Sequence, residues 1–270
     1  MKKLNLWLLM SLFVAAFAMT ACGGDDEDSN SNGNSGQDQP ASGNDLIGSW
    51  SYRGTTYVFT NDKLTVKERE QEQEKEVFQG SYTYENGKLT VVGMQEDQQV
   101  TKVATVKVLY DKSVLVLKYA SEHPEEYSLD VIAEVYFKEG KTAVTPASDI
   151  QGTWHWYMNG DKNNIRTGVM INGDKIEIII TPWSERHVGT FTYSQGILHL
   201  NMTEFYSGRG EHGYGFGEGG INPATLECDN WIPCTKEDIG DHLPSEMLFV
   251  TDGTEAYGGV AGLPAVFVKK

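Results

Sequence analysis

Asp45-Leu46-Ile47-Gly48-Ser49-Trp50 and Asp149-Ile150-Gln151-Gly152-Thr153-Trp154 are two versions of one phrase, in which Asp and an aliphatic residue lead to Gly-x-Trp. The likeness continues downstream in the same order. Asp62-Lys63-Leu64-Thr65-Val66 answers to Asp174-Lys175-Ile176-Glu177-Ile178, and Gly80-Ser81-Tyr82-Thr83-Tyr84 to Gly189-Thr190-Phe191-Thr192-Tyr193. Leu89-Thr90-Val91 and Leu198-His199-Leu200 then stand at the same distance beyond each glycine. Both copies close on an apolar strand with lysine, Val135-Tyr136-Phe137-Lys138 and Ala265-Val266-Phe267-Val268-Lys269. The chain therefore carries one structural unit twice, and the copies differ mainly by insertions, which fall where loops belong.

Each unit reads as strands. Leu129, Val131, Ala133, Val135 and Phe137 alternate with Ser128, Asp130, Glu134 and Lys138 among the residues between. Ile176, Ile178 and Ile180 alternate likewise, although Ile179 breaks the polar side of the pattern. Asn61-Asp62, Asn86-Gly87, Asn172-Gly173, Gln195-Gly196 and Asp252-Gly253 supply turns. The charged run Glu68 to Glu76 has no apolar face and reads as a hairpin tip rather than a helix. Turns every 8–12 residues across about 95 residues give roughly eight strands per copy. An antiparallel sheet of that size can close into an up-and-down barrel, which removes its edges. The expected fold is all-β: two small antiparallel up-and-down β-barrels in tandem.

Gly-x-Trp at the start, Gly-x-Tyr/Phe-x-Tyr later and a closing apolar strand together resemble the small lipocalin-like domains of bacterial surface lipoproteins. The resemblance covers residues 45–140 and 149–270. It implies that Trp50 and Trp154 pack across the closed end of each barrel, a structural role, and that a barrel of this kind commonly holds a ligand. The second copy departs from the pattern. Between Met202 and Met247 lies an insertion, at about 203–246, longer than a lipocalin loop and rich in glycine and aromatics, and a barrel so interrupted need not close as the first does.

The chain begins with Lys2 and Lys3, then an apolar run from Leu4 to Ala18 that is short for a membrane span, which needs about 20 residues. The layout is that of a secretory signal. Met19-Thr20-Ala21-Cys22 resembles the lipobox of bacterial lipoproteins. The resemblance implies cleavage before Cys22, whose thiol takes the diacylglycerol, so that residues 1–21 are signal peptide and acyl chains anchor the mature protein in a membrane. Residues 22–44 hold the lipidated cysteine and an acidic, Ser-, Asn- and Gly-rich leash with nothing apolar to offset the entropy of ordering, spanning about 26 Å as a coil. Asp25-Asp26-Glu27-Asp28, just after the cysteine, resembles the surface-export signal of certain Gram-negative anaerobes. It implies an outer-membrane lipoprotein facing the exterior; as a plain linker it would leave the protein facing the periplasm.

Loss of Lys2 and Lys3 would take the formal charge from −16 to −18. Such a charge opposes phosphate backbones and anionic lipid heads, which excludes nucleic acid as a partner. No nucleophile-elbow or paired-histidine zinc motif occurs, the six histidines are scattered, and Asp161-Lys162-Asn163-Asn164 reads as a turn rather than a calcium loop. The sequence assigns no catalytic residue, no metal site and no cofactor, and the expectation is a protein that is not an enzyme. Cys228 and Cys234 remain after Cys22 is lipidated; they stand as a disulfide in an oxidising compartment, or as two buried thiols.

The insertion holds the candidate ligand site. Trp231 lies between the cysteines within Asp229-Asn230-Trp231-Ile232-Pro233, and Tyr214 and Phe216 stand nearby among glycines. Flat rings suit the apolar faces of sugars, with Asp229 and Asn230 as hydrogen-bond partners. The other reading makes Trp231 a plug in the barrel mouth. Two functions follow from the whole sequence: a binding protein for a small apolar or glycan ligand, or a module with filled barrels that docks onto another envelope protein. Each half carries a complete set of strand motifs, with residues 141–148 as the linker between them. A fragment spanning residues 45–143 is thus expected to fold alone, and circular dichroism should show β-structure with a cooperative melt.

Overall fold

A tryptophan buried at the start of a β-unit must satisfy its indole N–H, and each copy supplies the acceptor four residues upstream. Trp50 Nε1 donates to the Leu46 carbonyl at 2.7 Å, and Trp154 Nε1 to the Ile150 carbonyl at 2.8 Å. Both indoles are fully buried. These bonds come from a computed structural model, which describes residues 42–270 apart from 71, 96–97, 122–130, 142–146, 209–219, 240–242, 244 and 260–263. The lipobox cysteine Cys22 and the acidic run behind it lie outside the described residues.

The first unit is a closed barrel of eight strands in sequence order: β1 (Gly48–Tyr52), β2 (Thr55–Phe59), β3 (Lys63–Glu70), β4 (Gln73–Glu85), β5 (Lys88–Gln95), β6 (Gln98–Leu109), β7 (Val114–Ala120) and β8 (Val131–Lys138). Every strand pairs antiparallel with its neighbour, and β1 closes the ring on β8. The charged run after Glu68 forms the tip of the β3–β4 hairpin, where Glu70 pairs with Gln73.

The second unit repeats the plan with β9 (Gly152–Tyr157), β10 (Ile165–Asn172), β11 (Lys175–Ile180), β12 (Glu185–Ser194), β13 (Ile197–Ser207), β15 (Glu246–Thr251), β16 (Glu255–Gly258) and β17 (Ala265–Lys269). Pairing of β12 with β13 and of β17 with β9 closes this ring too, insertion notwithstanding. The insertion adds a short strand, β14 (Ile232–Cys234), which pairs with the end of β13 outside the ring. Two closed eight-stranded antiparallel barrels in tandem fit a lipocalin-like fold.

Closure is made the same way twice. Trp50 sits opposite Lys138, and Trp154 opposite Lys269. Each ammonium lies over the indole, at 4.8 and 5.0 Å from the ring centroid. The glycine of Gly-x-Trp has positive φ in both copies, 126° at Gly48 and 117° at Gly152, and a Cβ there would press on the same lysine stem at 3.2 Å. The motif thus joins first strand to last through a cation–π contact that any side chain at the glycine would disturb.

The barrels share a joint made by equivalent strands. The outer faces of β6, β7 and β8 present Leu109, Val114, Val116, Ala133 and Val135, which pack with Val250 and Tyr257 of β15 and β16. Charges border this apolar patch. Lys107 pairs with Asp252 and Glu255, and Lys118 with Glu255 at 2.7 Å. Tyr257 hydroxyl donates to both carboxylates, and Tyr110 hydroxyl to the Thr251 carbonyl. Burial pushes the Asp252 carboxyl up, but the Glu255 backbone N–H, the Lys107 ammonium, the Thr254 backbone N–H and the Tyr257 hydroxyl outweigh it and hold the group far below the usual carboxylate range. Against the same opposing burial, Lys118 and Tyr257 hold Glu255 low.

Groups with depressed folded pKa values contribute stability above the ordinary carboxylate range and lose it as pH falls through their folded values. Denaturant unfolding should therefore show full stability above about pH 5 and a progressive loss below about pH 4. Asp252→Asn is expected to cost about 3 kcal/mol at pH 7, since it leaves a half-buried lysine poorly compensated, and to flatten the acid dependence.

Candidate functional site

The site arises where the two copies part company at equivalent positions. Gly80 on β4 and Gly189 on β12 mark places where adjacent strands approach too closely for a side chain. A Cβ would stand 2.5 Å from the Val92 carbonyl oxygen in the first case and 2.2 Å from that of Asn201 in the second. Two residues earlier, facing the barrel interior, the first copy has Phe78, opposite Val66, and the second has His187, opposite Ile178. Phe78 lays its ring over Gly93, where a Cβ would come within 2.4 Å of it. In the second copy the residue paired with Gly189 is Met202, and the interior holds His187 and Glu185 instead of a phenyl ring.

A β-bulge re-aims the wall here. Val188 pairs with Glu204 and Gly189 with Met202, so Thr203 is the extra residue on β13. The bulge returns Phe205 to the inner face, where its ring meets His187 edge-on at 5.8 Å. His187 Nε2 lies 3.2 Å from Glu185 Oε2, with the two side chains 2% and 4% exposed. His187 Nδ1 is buried and has no hydrogen-bond partner. A neutral imidazole that donates its Nε2 proton to that carboxylate has Nδ1 as an acceptor, whereas an imidazolium has it as a donor. A buried polar atom without a partner costs about 1–3 kcal/mol.

His187 also borders a cavity of about 190 Å³, lined with it by Leu200, Asn201, Met202, Phe205, Lys236, Leu243 and Ser245. The insertion completes it. After β14, Thr235 and Asp238 cap a helical turn, Lys236–Ile239, through reciprocal hydrogen bonds, and Leu243 then enters the interior core. The cavity thus has two strand walls from the barrel and a third side from the segment absent in the first copy.

The first barrel leaves the buried Tyr84 hydroxyl without a partner as well, and it also holds a polar cluster whose members meet one another. Tyr136 hydroxyl donates to Glu134 Oε2 at 2.9 Å, and Tyr57 hydroxyl to the same oxygen at 3.4 Å. Burial and then the Glu134 charge push both phenols well above their usual range. That cluster is a mutually bonded core feature.

The site expected in the insertion lies elsewhere, on the outer wall. Trp231 is half-buried and packs with Ile165, Ile179, Ile221 and Leu226 outside the ring, so it does not plug the barrel mouth. Leu226 seats against Gly168, where any Cβ would collide with it at 2.2 Å. Arg186 lies between the rings of Tyr206, at 5.0 Å, and Trp231, at 5.9 Å, while forming a two-pronged pair with Glu177. Asp229 and Asn230 are exposed beside it; Tyr214 and Phe216 lie outside the described residues. Cys228 and Cys234 are free thiols rather than the expected disulfide. Cys228 bridges to Ile221 and directs its thiol to the Asn230 carbonyl at 3.4 Å, whereas Cys234 is held on β14 opposite Phe205. Burial, then Asp238 and Glu185, push the Cys234 thiol up, which disfavours the reactive thiolate.

Among the described residues no three His, Cys, Asp or Glu side chains gather as metal ligands. His155 is buried on the outer wall beside Tyr157, and His199 is exposed beside Glu246. The chain matches no family model, and no curated protein matches it. Glu185 and His187 escaped sequence reasoning because neither belongs to a motif; aligning the copies on Gly80 and Gly189 and reading two residues back would have exposed the exchange of phenylalanine for histidine. Since Trp231 stands on the outer wall, Trp231→Ala is expected to cost about half of the roughly 3–5 kcal/mol lost when a fully buried tryptophan is removed, as measured by denaturant unfolding.

Proposed function

We propose that this chain is a non-catalytic binding lipoprotein, anchored in the outer membrane through acyl chains on Cys22 and facing the cell exterior, and that its second barrel holds a small ligand. The observation that carries the reading is the cavity of about 190 Å³ in the wall of the second barrel, lined in part by His187. Concave, mostly preformed sites with apolar walls and a few convergent polar groups are where small molecules bind. Leu200, Met202, Phe205 and Leu243 supply the apolar surface; His187, Asn201, Ser245 and Lys236 supply polarity. The anchor rests on Met19-Thr20-Ala21-Cys22, and the outward orientation on Asp25-Asp26-Glu27-Asp28. An apolar ligand suits the cavity, whereas a glycan suits the outer wall at Trp231, Asp229 and Asn230.

A second reading, docking onto an envelope protein through filled barrels, is favoured by the first unit. There Trp50, Tyr57, Phe59, Leu64 and Leu115 are all buried to within 1%. The readings concern different barrels and are separable. Native mass spectrometry of the purified mature protein is expected to show one small molecule retained per chain; a bare mass would favour docking. Cys22→Ala is expected to release the protein from the membrane fraction or to stall its processing, and a normally processed, membrane-bound variant would remove the anchor.

A further inference from the structure

We infer that the cavity of the second barrel is reached through a window in the barrel wall between β13 and β15, and that residues 232–239 of the insertion are its shutter, pinned at their start by Trp231 against Arg186. The inference says how the proposed ligand enters and leaves, and so it rests on the binding reading.

The window follows from a change of partner along β13. This strand pairs with β15 only from Ile197 to His199, opposite Leu248 to Glu246, and the Leu200 N–H adds one bond to the Ser245 carbonyl. From Phe205 to Ser207 its partner is β14 instead. Residues 201–204 stand between the two ladders, and the cavity lies there. Leu200, Asn201, Met202 and Phe205 line it from β13, and Lys236 and Leu243 from the insertion. In the first barrel the equivalent strands, β5 and β6, pair through every residue from Lys88 to Gln95. The insertion therefore parts two strands that the duplicated plan joins, and the cavity fills the place where they part.

The segment across the window is lightly held. Strand β14 brings three residues to its ladder, and Thr235, Lys236, Glu237 and Asp238 are exposed, whereas Ile239 is buried. Short elements with few buried apolar contacts are the ones that open locally. Both ends are fixed more firmly. Downstream, Leu243 belongs to the interior core. Upstream, Trp231 packs with Ile179 and Leu226, and Leu226 seats against Gly168. Register sets Ile179, Arg186, Tyr206 and Pro233 in one row across β11, β12, β13 and β14. The Arg186 guanidinium, fixed by Glu177 of β11, lies between the rings of Tyr206 and Trp231 and so ties the start of the shutter to three strands of the wall. His187, the next residue on β12, lines the cavity. Release of residues 232–239 would open the cavity and leave the β13–β15 ladder, and with it the ring, intact.

The test reads Cys234, which stands in the shutter on β14 opposite Phe205. In the closed segment, burial and then the Asp238 and Glu185 charges push its thiol up, which slows its reaction as thiolate. Alkylation of Cys234 by iodoacetamide in the intact mature protein is followed on its own peptide by mass spectrometry. It is expected to run about tenfold slower than in an unstructured peptide of the same sequence. Arg186→Ala, which removes the pin, and Gly168→Ala, which drives Leu226 from its seat, are each expected to raise the rate about tenfold while circular dichroism shows the barrels still folded. If one variant fails to fold, the other carries the test, and hydrogen exchange at the Ile232 and Cys234 amides gives the same reading in the unaltered chain. A Cys234 as reactive as the peptide would mean that nothing closes over the window. Rates unchanged in the variants, or a reaction that follows only the global unfolding seen in denaturant, would make the segment a fixed wall. Each of these results overturns the shutter. Native mass spectrometry judges the binding reading separately: a retained molecule beside a fixed wall leaves binding and removes the shutter, whereas a bare mass removes the binding reading, and the inference with it, whatever the rates.

Discussion

A meander of eight strands leaves two open edges unless its first strand finds its last, and in this chain that meeting depends on one buried tryptophan per unit. The indole N–H is satisfied from four residues upstream, the face of the ring is covered by the lysine of the final strand, and a glycine with positive φ clears space for the lysine stem. With the edges joined, the strands enclose an interior that side chains must fill. Groups placed inside then pack or pair, and the buried Tyr84 hydroxyl and His187 Nδ1 are exceptions, one in each barrel.

The two interiors resolve that demand differently. The first is completed by aromatic and aliphatic side chains and by a tyrosine–glutamate–tyrosine cluster whose polar atoms meet one another. The second gives up a ring at His187, accepts a bulge at Thr203, and borrows a wall from the insertion.

Much of this architecture could be read from the chain. The repeated Gly-x-Trp, the Gly-x-Tyr/Phe-x-Tyr strands and the closing lysine strands identified the repeated unit, because those residues answer to backbone geometry that any copy of the fold must meet, and the spacing of turns gave about eight strands in each. Ile179, the residue that broke the alternation of β11, is now accounted for: Ile221 and Leu226 of the insertion cover it on the outer wall. The site was less legible. Whether Trp231 plugged the barrel mouth or stood on a wall was open in the sequence, which shows composition and spacing but not which side of a barrel wall a loop will lie on. Cys228 and Cys234 looked paired by proximity in sequence, yet one is held by a bridge to Ile221 and the other by β14. The joint between barrels was invisible, since Lys107, Lys118, Asp252 and Glu255 are ordinary surface residues until two outer faces meet.

Had the barrels been separate copies of one polypeptide meeting on those same strands, twofold symmetry would have put every residue on both sides of the contact. Fusion lifts that requirement. Lys107 and Lys118 stand on the first barrel alone, and Asp252 and Glu255 on the second alone. Two first barrels from neighbouring molecules would bring ammonium groups together across an apolar face, and two second barrels would oppose carboxylates. Both mispairings are repelled, and only unlike halves are attracted. The polar border therefore opposes either pairing of identical halves on this face. The one exchange it permits is reciprocal, a first half from one chain with the second half of another, a swap that would preserve every contact of the monomer.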